Sequence, residues 1–394
     1  MSVQKAILVD RSRIVARQEC PRMRYLGYDF EGRGLAAKAG SLPLIDGIIL
    51  HEGFARLFRG EDLERVLADL DQQYFNMLKD HPPHKDVKET AFLYREQVAL
   101  IEGILRAWHH HRLPMLLEEY EVVSVEQAFS WQMSSEVRGM MRMDAVLRRR
   151  DDGLLHIWDA KTMTAPSQDW MRKWEHDDQW LMYLLAAEDF YREPLGGVLV
   201  EGIVKGLYRT DMAKSSPFSG KKIQQSPYCY GYMLDGDIPM RQSAYTAKKG
   251  WQKFSVAESG MTSEEWFREV LLPEHRAQQG GFDLNEQFII VPPFAPTRRE
   301  LERWRKQTVF GEVVWARRLR DIQEAEGPDR DELLDCYAPC THGRCHKYGT
   351  DNTCQFEPIC FNETIEADPI GSGLYEYREP HHQQERDLLD QEAA

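Results

Sequence analysis

The chain has 394 residues, a formal net charge of −14, 42% apolar and 29% charged residues. This is ordinary globular composition, which excludes wholesale disorder, and the acidic balance argues against a generic polyanion binder. No apolar run approaches the ~18 residues of a membrane helix: the best, Leu42 to Leu50, is broken by Pro43 and Asp46. The first thirty residues carry no secretory h-region, so a protein of the cell interior is expected.

In chain order, Ser12 is placed to cap a short helix running toward Cys20. A helical period starts near Leu50 and continues through Phe54, Leu57, Leu63, Val66, Leu67 and Leu70, and a second helix is expected from about Val87 to Arg112. Tyr120–Met133 is rich in β-branched and aromatic residues and reads as a strand. Gly139–Arg149, the Asp151-Asp152-Gly153 turn and Leu154–Lys161 form a hairpin pattern.

Gln168 to Phe190 reads as one helix, and Gly197–Leu207 as a buried strand. Ser, Pro, Gly and Lys crowd positions 209–250, an excursion from the core. Thr262 with Glu265, and Thr297 with Glu300, fit capping boxes, the second opening a helix to about Glu326. Phe288–Val291 is a short strand between them. Strands in a row flanked by helices predict a mixed α/β core. From Glu366 onward the chain is acidic and polar, and a mobile tail is expected.

The hairpin holds the most informative side chains. Residues i and i+2 of a strand share a face, so Asp159 and Lys161 project together, and Asp144 on the adjacent strand can face them. Two carboxylates near one point repel, and a divalent cation relieves the repulsion. Such a cation polarises a phosphate and acidifies a bound water, while a neighbouring ammonium holds the nucleophile or stabilises developing negative charge. The plain alternative is a solvated ion pair on a sheet edge, worth little.

Two further places bear on that choice. Gly47-Ile-Ile-Leu-His51 stands at a helix start, where the glycine would permit close packing and His51 would offer an imidazole to a metal. Gln179 and Tyr183 share a helix face at i, i+4 spacing. In the plain reading, these are a partly exposed histidine and a core tyrosine beside a satisfied glutamine.

Seven cysteines are present, five of them between Cys336 and Cys360 with the spacing Cys336-x3-Cys340-x4-Cys345-x8-Cys354-x5-Cys360. A disulfide framework is a poor reading for a chain of this size without an export signal. Zinc would favour paired knuckles, with His342 or His346 completing a site. An iron–sulfur cluster needs four convergent thiolates at looser spacing. The helix after Thr297 carries Arg298, Arg299, Arg303, Arg305 and Lys306 with Trp304 and Trp315 interleaved. That pattern suits phosphate contacts and base stacking, or a solvated helix with a core face. Lys221-Lys222 and Lys248-Lys249 could add phosphate contacts.

The ordered set Gly47…His51, Asp144, Asp159-x-Lys161 and Gln179-x-x-x-Tyr183 resembles the RecB-like branch of the PD-(D/E)xK nucleases. The resemblance implies an α/β, restriction-endonuclease-like core, with a mixed central sheet flanked by helices. It implies that His51, Asp144 and Asp159 hold catalytic Mg²⁺ or Mn²⁺, that Lys161 acts in catalysis, and that Gln179 and Tyr183 support the site and the DNA. Asp159 stands where glutamate is commoner; Glu126 is a lower-ranked acidic neighbour. Cys20, in Cys20-Pro-Arg-Met-Arg-Tyr25, is similar to the N-terminal member of a four-cysteine [4Fe–4S] set found in CRISPR-associated and helicase-linked relatives, with Cys345, Cys354 and Cys360 as its C-terminal match. Cys336 and Cys340 stay open as replacements for Cys345, ligands of a second metal, or plain thiols.

The expected organisation is an N-terminal segment 1–40 carrying one cluster cysteine, a nuclease core 41–295, a basic helix and cysteine-rich cap 296–365, and an acidic tail 366–394. The expected activity is DNA exonuclease action in phage or mobile-element recombination, repair or CRISPR adaptation, in the cytoplasm of a bacterial or archaeal host. Its substrate would be DNA, single-stranded or with free ends, with a helicase or recombination partner and no membrane. The competing class is a catalytically inert DNA- or helicase-binding protein stabilised by iron–sulfur or zinc.

Overall fold

The computed structural model describes residues 6–38, 42–80, 87–163, 168–174, 177–205, 208–211, 222–225, 241–246, 250–255, 288–345 and 354–379. The helix expected near Thr262, the paired lysines at 221 and 248–249, Cys229 and His346 carry no described side chain.

The chain opens with β1 (Ile7–Val9) and α1 (Arg11–Glu19). Asp10, not Ser12, caps α1: its carboxylate accepts from Arg13 N at 2.8 Å. Cys20 ends α1 and precedes the one-turn α2 (Pro21–Arg24); β2 (Leu35–Ala37) follows. The period that began near Leu50 is two helices, α3 (Leu42–Phe58) and α4 (Leu63–Asp80), broken at Gly60, which takes φ +78. Helix α5 (Val87–Ala107) packs on α3 where Gly53 leaves no room, since a Cβ there would meet Leu105 at 2.7 Å. A π-helical turn, Trp108–Arg112, leads into α6 (Leu113–Glu119).

Three long strands follow, β3 (Tyr120–Gln132), β4 (Val137–Arg149) and β5 (Leu155–Met163). Gly153 supplies the φ of +72 that the tight turn before β5 requires. The stretch read as one helix is two, α7 (Gln168–Trp174) and α8 (Asp178–Tyr191), because Asp177 starts a new helix by capping Gln179 N at 2.9 Å. Strand β6 (Leu195–Val204) is buried along most of its length, as its apolar run predicts.

Strands β7 (Tyr208–Asp211), β8 (Lys222–Gln225), β9 (Arg241–Thr246) and β10 (Gly250–Ser255) form a separate antiparallel sheet that covers the expected excursion and runs past it to Ser255. Strand β11 (Phe288–Phe294) then returns to the edge of the main sheet. Helix α9 (Arg298–Glu324) opens on the expected capping box of Thr297 and Glu300. The cap contains α10 (Pro328–Tyr337), α11 (Glu357–Cys360), α12 (Glu363–Ala367) and β12 (Tyr375–Tyr377). Strand β12 lies in the span expected as tail, yet pairs antiparallel with β2, and Tyr375 is buried.

The central sheet runs β1-β4-β5-β6-β11, with β3 on the other edge of β4. Pairing is mixed: β1–β4 and β5–β6 are parallel, the others antiparallel. Its two faces bury separate apolar clusters, one under α3–α6 around Phe54, Trp108 and Trp158, the other under α8 and α9 around Trp180, Met182 and Trp304. This is the expected α/β architecture, with a mixed sheet between helical layers. Helix α3 is tied to the end of β6, since Asp46 binds the Lys205 ammonium at 2.7 Å and accepts from Tyr74 OH at 3.1 Å. No described helix is long and apolar enough to cross a membrane.

Candidate active site

The site is a fork in the sheet. Strand β3 pairs along the length of β4 on one edge. The other edge is divided: β1 pairs with Val137–Gly139, and β5 pairs only from Ala145↔Trp158 outward to Arg148↔Leu155. Asp144 and Asp159 are thus the first opposed positions past the last β4–β5 pair. The chain separation leaves the Ala160 N–H without a strand partner on that side, and Asp144 Oδ2 accepts its hydrogen bond at 3.0 Å.

Helix α3 brings His51 to the same oxygen, with Nδ1 2.8 Å from Asp144 Oδ2. His51 lies mid-helix rather than at the helix start. The close packing expected of Gly47 is not found: a Cβ there meets nothing within 4 Å, so the ground one turn before His51 is open.

Asp159 is fully buried and doubly held. Gln179 Nε2 donates to its Oδ1 at 2.9 Å, and the Lys161 ammonium sits 2.5 Å from its Oδ2. Gln179 also contacts Tyr183 OH at 2.7 Å, and that hydroxyl donates to Arg142 O on β4 at 2.8 Å. The Gln–Tyr pair therefore bridges β5 to β4 across the open fork. Arg11 of α1 binds Asp177 through two nitrogens, at 3.0 and 2.8 Å, and so fixes the cap from which Gln179 projects.

Glu126, the lower-ranked acidic neighbour of the sequence reading, lies beside Asp144 and His51. Val125 pairs with Ala145 and Gln127 with Met143, so Glu126 stands opposite Asp144 on β3. It takes φ +51, a left-handed conformation rare for a side chain other than Gly, Asn or Asp. Ligand atoms of His51, Glu126 and Asp144 all lie within 4.8 Å of one another. Three carboxylates thus occupy one row across β3, β4 and β5. Only the register of β3, which sequence did not fix, could have revealed Glu126.

The electrostatics follow from crowding. Burial, with the Asp144 carboxylate adding, pushes Glu126 up to about 7. Burial, again with Asp144, pushes Asp159 up to about 6 against the pull of Lys161. Asp144 is itself buried, yet His51 and Lys161 outweigh that penalty and hold it low. His51 moves up, because Asp144 outweighs the burial that would lower it. A row of acids partly neutralised by protons is what a divalent cation would replace. The donor set, one imidazole with carboxylates whose ligand atoms lie within 4.8 Å of one another, fits such an ion.

The cysteines gather in the cap. Cys20 Sγ accepts from Thr341 N at 3.4 Å, Cys340 and Cys345 have sulfurs 3.7 Å apart, and Cys354 N donates to Cys345 O at 2.8 Å. Cys360 interacts with Cys340, Cys345 and Cys354. The expected four, Cys20, Cys345, Cys354 and Cys360, come together with Cys340 as a fifth, while Cys336 is exposed. Burial pushes the Cys340 and Cys345 thiols up to about 11.

On α9, Arg299, Arg303 and Lys306 are exposed. Arg298 pairs with Glu188 and Glu302, and Arg305 with Glu302 and Met133 O. Trp304 and Trp315 are buried, so neither is available to stack on a base.

A forked mixed sheet with acids and one lysine at its opening defines a class of metal-dependent phosphodiester-cleaving folds. The family model of the PD-(D/E)XK nuclease superfamily matches residues 11–360, and the chain belongs to that superfamily. Its class of chemistry is metal-dependent cleavage of nucleic acid. A search of curated proteins gave no match.

Proposed function

We propose that this protein is a Mg²⁺- or Mn²⁺-dependent DNA exonuclease of the RecB-like branch. The observation that carries the reading is the fork itself: His51, Asp144, Asp159, Lys161, Gln179 and Tyr183, scattered over the chain, meet at one opening of the sheet. His51, Asp144 and Glu126 would hold the ion, with Asp159 beside them. A divalent ion held there polarises a phosphate and lowers the pKa of a bound water. Lys161 supplies a positive charge for the attacking oxygen or the developing phosphorane. Gln179 keeps Asp159 in place, and Tyr183 locks Gln179 to β4. Arg299, Arg303 and Lys306 supply phosphate contacts away from the fork.

We assign a [4Fe–4S] cluster to the cap. Cys20, Cys340, Cys345, Cys354 and Cys360 gather there, which supplies the four convergent thiolates such a cluster needs. The cluster would join the N-terminal segment to the C-terminal one, which already meet through Arg22 N→Pro339 O at 3.3 Å and the β2–β12 pair. Cytoplasmic recombination or repair beside a helicase is the setting that suits this reading.

The test offers end-labelled linear DNA and covalently closed circular DNA to anaerobically purified protein with Mn²⁺. Stepwise shortening of the linear strand with the circle intact supports the reading. Cutting of the circle at a comparable rate makes it an endonuclease, and no cutting of either makes it a binder.

A further inference from the structure

The Lys161 ammonium has a second partner besides Asp159. It lies over two indole rings, 5.7 Å from the Trp174 centroid and 5.4 Å from that of Trp180. The two rings are tilted by 50° with centroids 5.6 Å apart, so they make two walls of one corner. Trp170 packs edge-on against Trp174 at 5.5 Å, and Lys173 lies over Trp174 at 4.5 Å. Trp180 is 0% exposed and Trp174 6%.

Among the described residues neither indole N–H has a hydrogen-bond partner. A buried donor left unpaired is costly, and a phenyl or aliphatic side chain would fill the space without that cost. What an indole supplies at this place is its face, the strongest cation-binding surface among the aromatic side chains. The chemistry of the corner calls for it. Lys161 is a long, flexible side chain that pairs with Asp159, an acid that a metal ion would also draw on. A neutral aromatic face attracts the ammonium without competing for the ion.

We propose that Trp174 and Trp180 are positioning residues, an aromatic corner that holds the Lys161 ammonium at the mouth of the fork. This rests on the reading of Lys161 as a catalytic group. It assigns a role at the site to α7 and the first turn of α8, two elements whose tryptophans otherwise pass for core.

The test is a double-mutant cycle on the full-length holoprotein, read as single-turnover cleavage of DNA at saturating DNA and Mn²⁺, with DNA affinity measured separately in Ca²⁺. Trp174→Leu is expected to slow cleavage about tenfold at unchanged DNA affinity. Trp174→Phe is expected to recover most of that loss, and Trp174→Leu to have no further effect once Lys161 is alanine. If Trp174→Leu does not fold, tetrafluorotryptophan placed at position 174 keeps the shape and drains the ring face; a rate loss of about fivefold is expected. An unchanged rate, a Phe variant as slow as Leu, or the same loss with and without Lys161 overturns the proposal. Lys161→Ala cleaving at the wild-type rate overturns the catalytic reading of Lys161 instead, and this corner with it.

Discussion

Asp144 and Asp159 oppose each other at the first positions beyond the β4–β5 ladder, and Asp144 Oδ2 accepts the Ala160 N–H that the parted strands leave over, at 3.0 Å. One carboxylate oxygen thereby closes the backbone of the fork and binds His51 at 2.8 Å. Ligand atoms of Asp144, His51 and Glu126 lie within 4.8 Å of one another beside it.

Glu126 is expected to be a metal ligand in its own right. Glu126→Gln keeps the shape and removes the charge, and should weaken Mn²⁺ binding about tenfold, by analogy with the loss of a group that supports a metal site. Isothermal titration of the protein without DNA measures this. An unchanged Mn²⁺ affinity would show that Glu126 only neighbours the site.

The raised acids make metal binding pH-dependent. Glu126 near 7 and Asp159 near 6 bind protons more tightly folded than unfolded. Their contribution to the stability of the metal-free protein is therefore full below about pH 4 and is lost as pH rises through 6 to 7. Asp144, held low, acts in the opposite sense, stabilising above its unfolded pKa and losing that contribution as pH falls. Mn²⁺ must displace the protons on Glu126 and Asp159, so binding at pH 6 should release protons that binding at pH 8.5 does not. Titration in buffers of different ionisation enthalpy counts them, and equal release at both pH values would contradict the assignment.

Gln179→Leu should destabilise the fold as well as slow cleavage. It removes the donor to buried Asp159 Oδ1 and the partner of Tyr183 OH. Leaving those groups unpaired costs about 1–3 kcal/mol. Urea unfolding reads the cost as a lower midpoint at unchanged slope. A midpoint equal to wild type would mean that Asp159 has another partner.

Much of this site could be read in the sequence because strand and helix periods are local. The i, i+2 spacing of Asp159 and Lys161 and the i, i+4 spacing of Gln179 and Tyr183 fix shared faces whatever the tertiary structure. Glu126 was not legible in that way, since its place opposite Asp144 depends on the β3–β4 register and on a left-handed residue inside a strand. The split of 168–190 into two helices was equally hidden: Asp177 competes with its own helix by capping the next, and Arg11, far off in sequence, stabilises that choice. Strands β1, β2 and β12 are three residues each, too short for a period, and exist through their partners.

The thiols give a colour test. Cys354→Ser should lose the broad absorption near ~400 nm and the iron of anaerobically purified protein, while Cys336→Ser, altering an exposed thiol, should keep both. Iron lost from Cys336→Ser, or zinc in place of iron in the wild type, would contradict the cluster assignment.

The most direct test of the central claim is cleavage of end-labelled DNA by wild type and by Asp144→Asn, with Mn²⁺ and with EDTA, beside DNA binding in Ca²⁺. The account predicts metal-dependent cleavage by wild type, a loss of at least about a hundredfold in Asp144→Asn, and unchanged DNA binding. Cleavage that survives EDTA or the loss of the Asp144 charge would contradict a metal-dependent nuclease site at the fork.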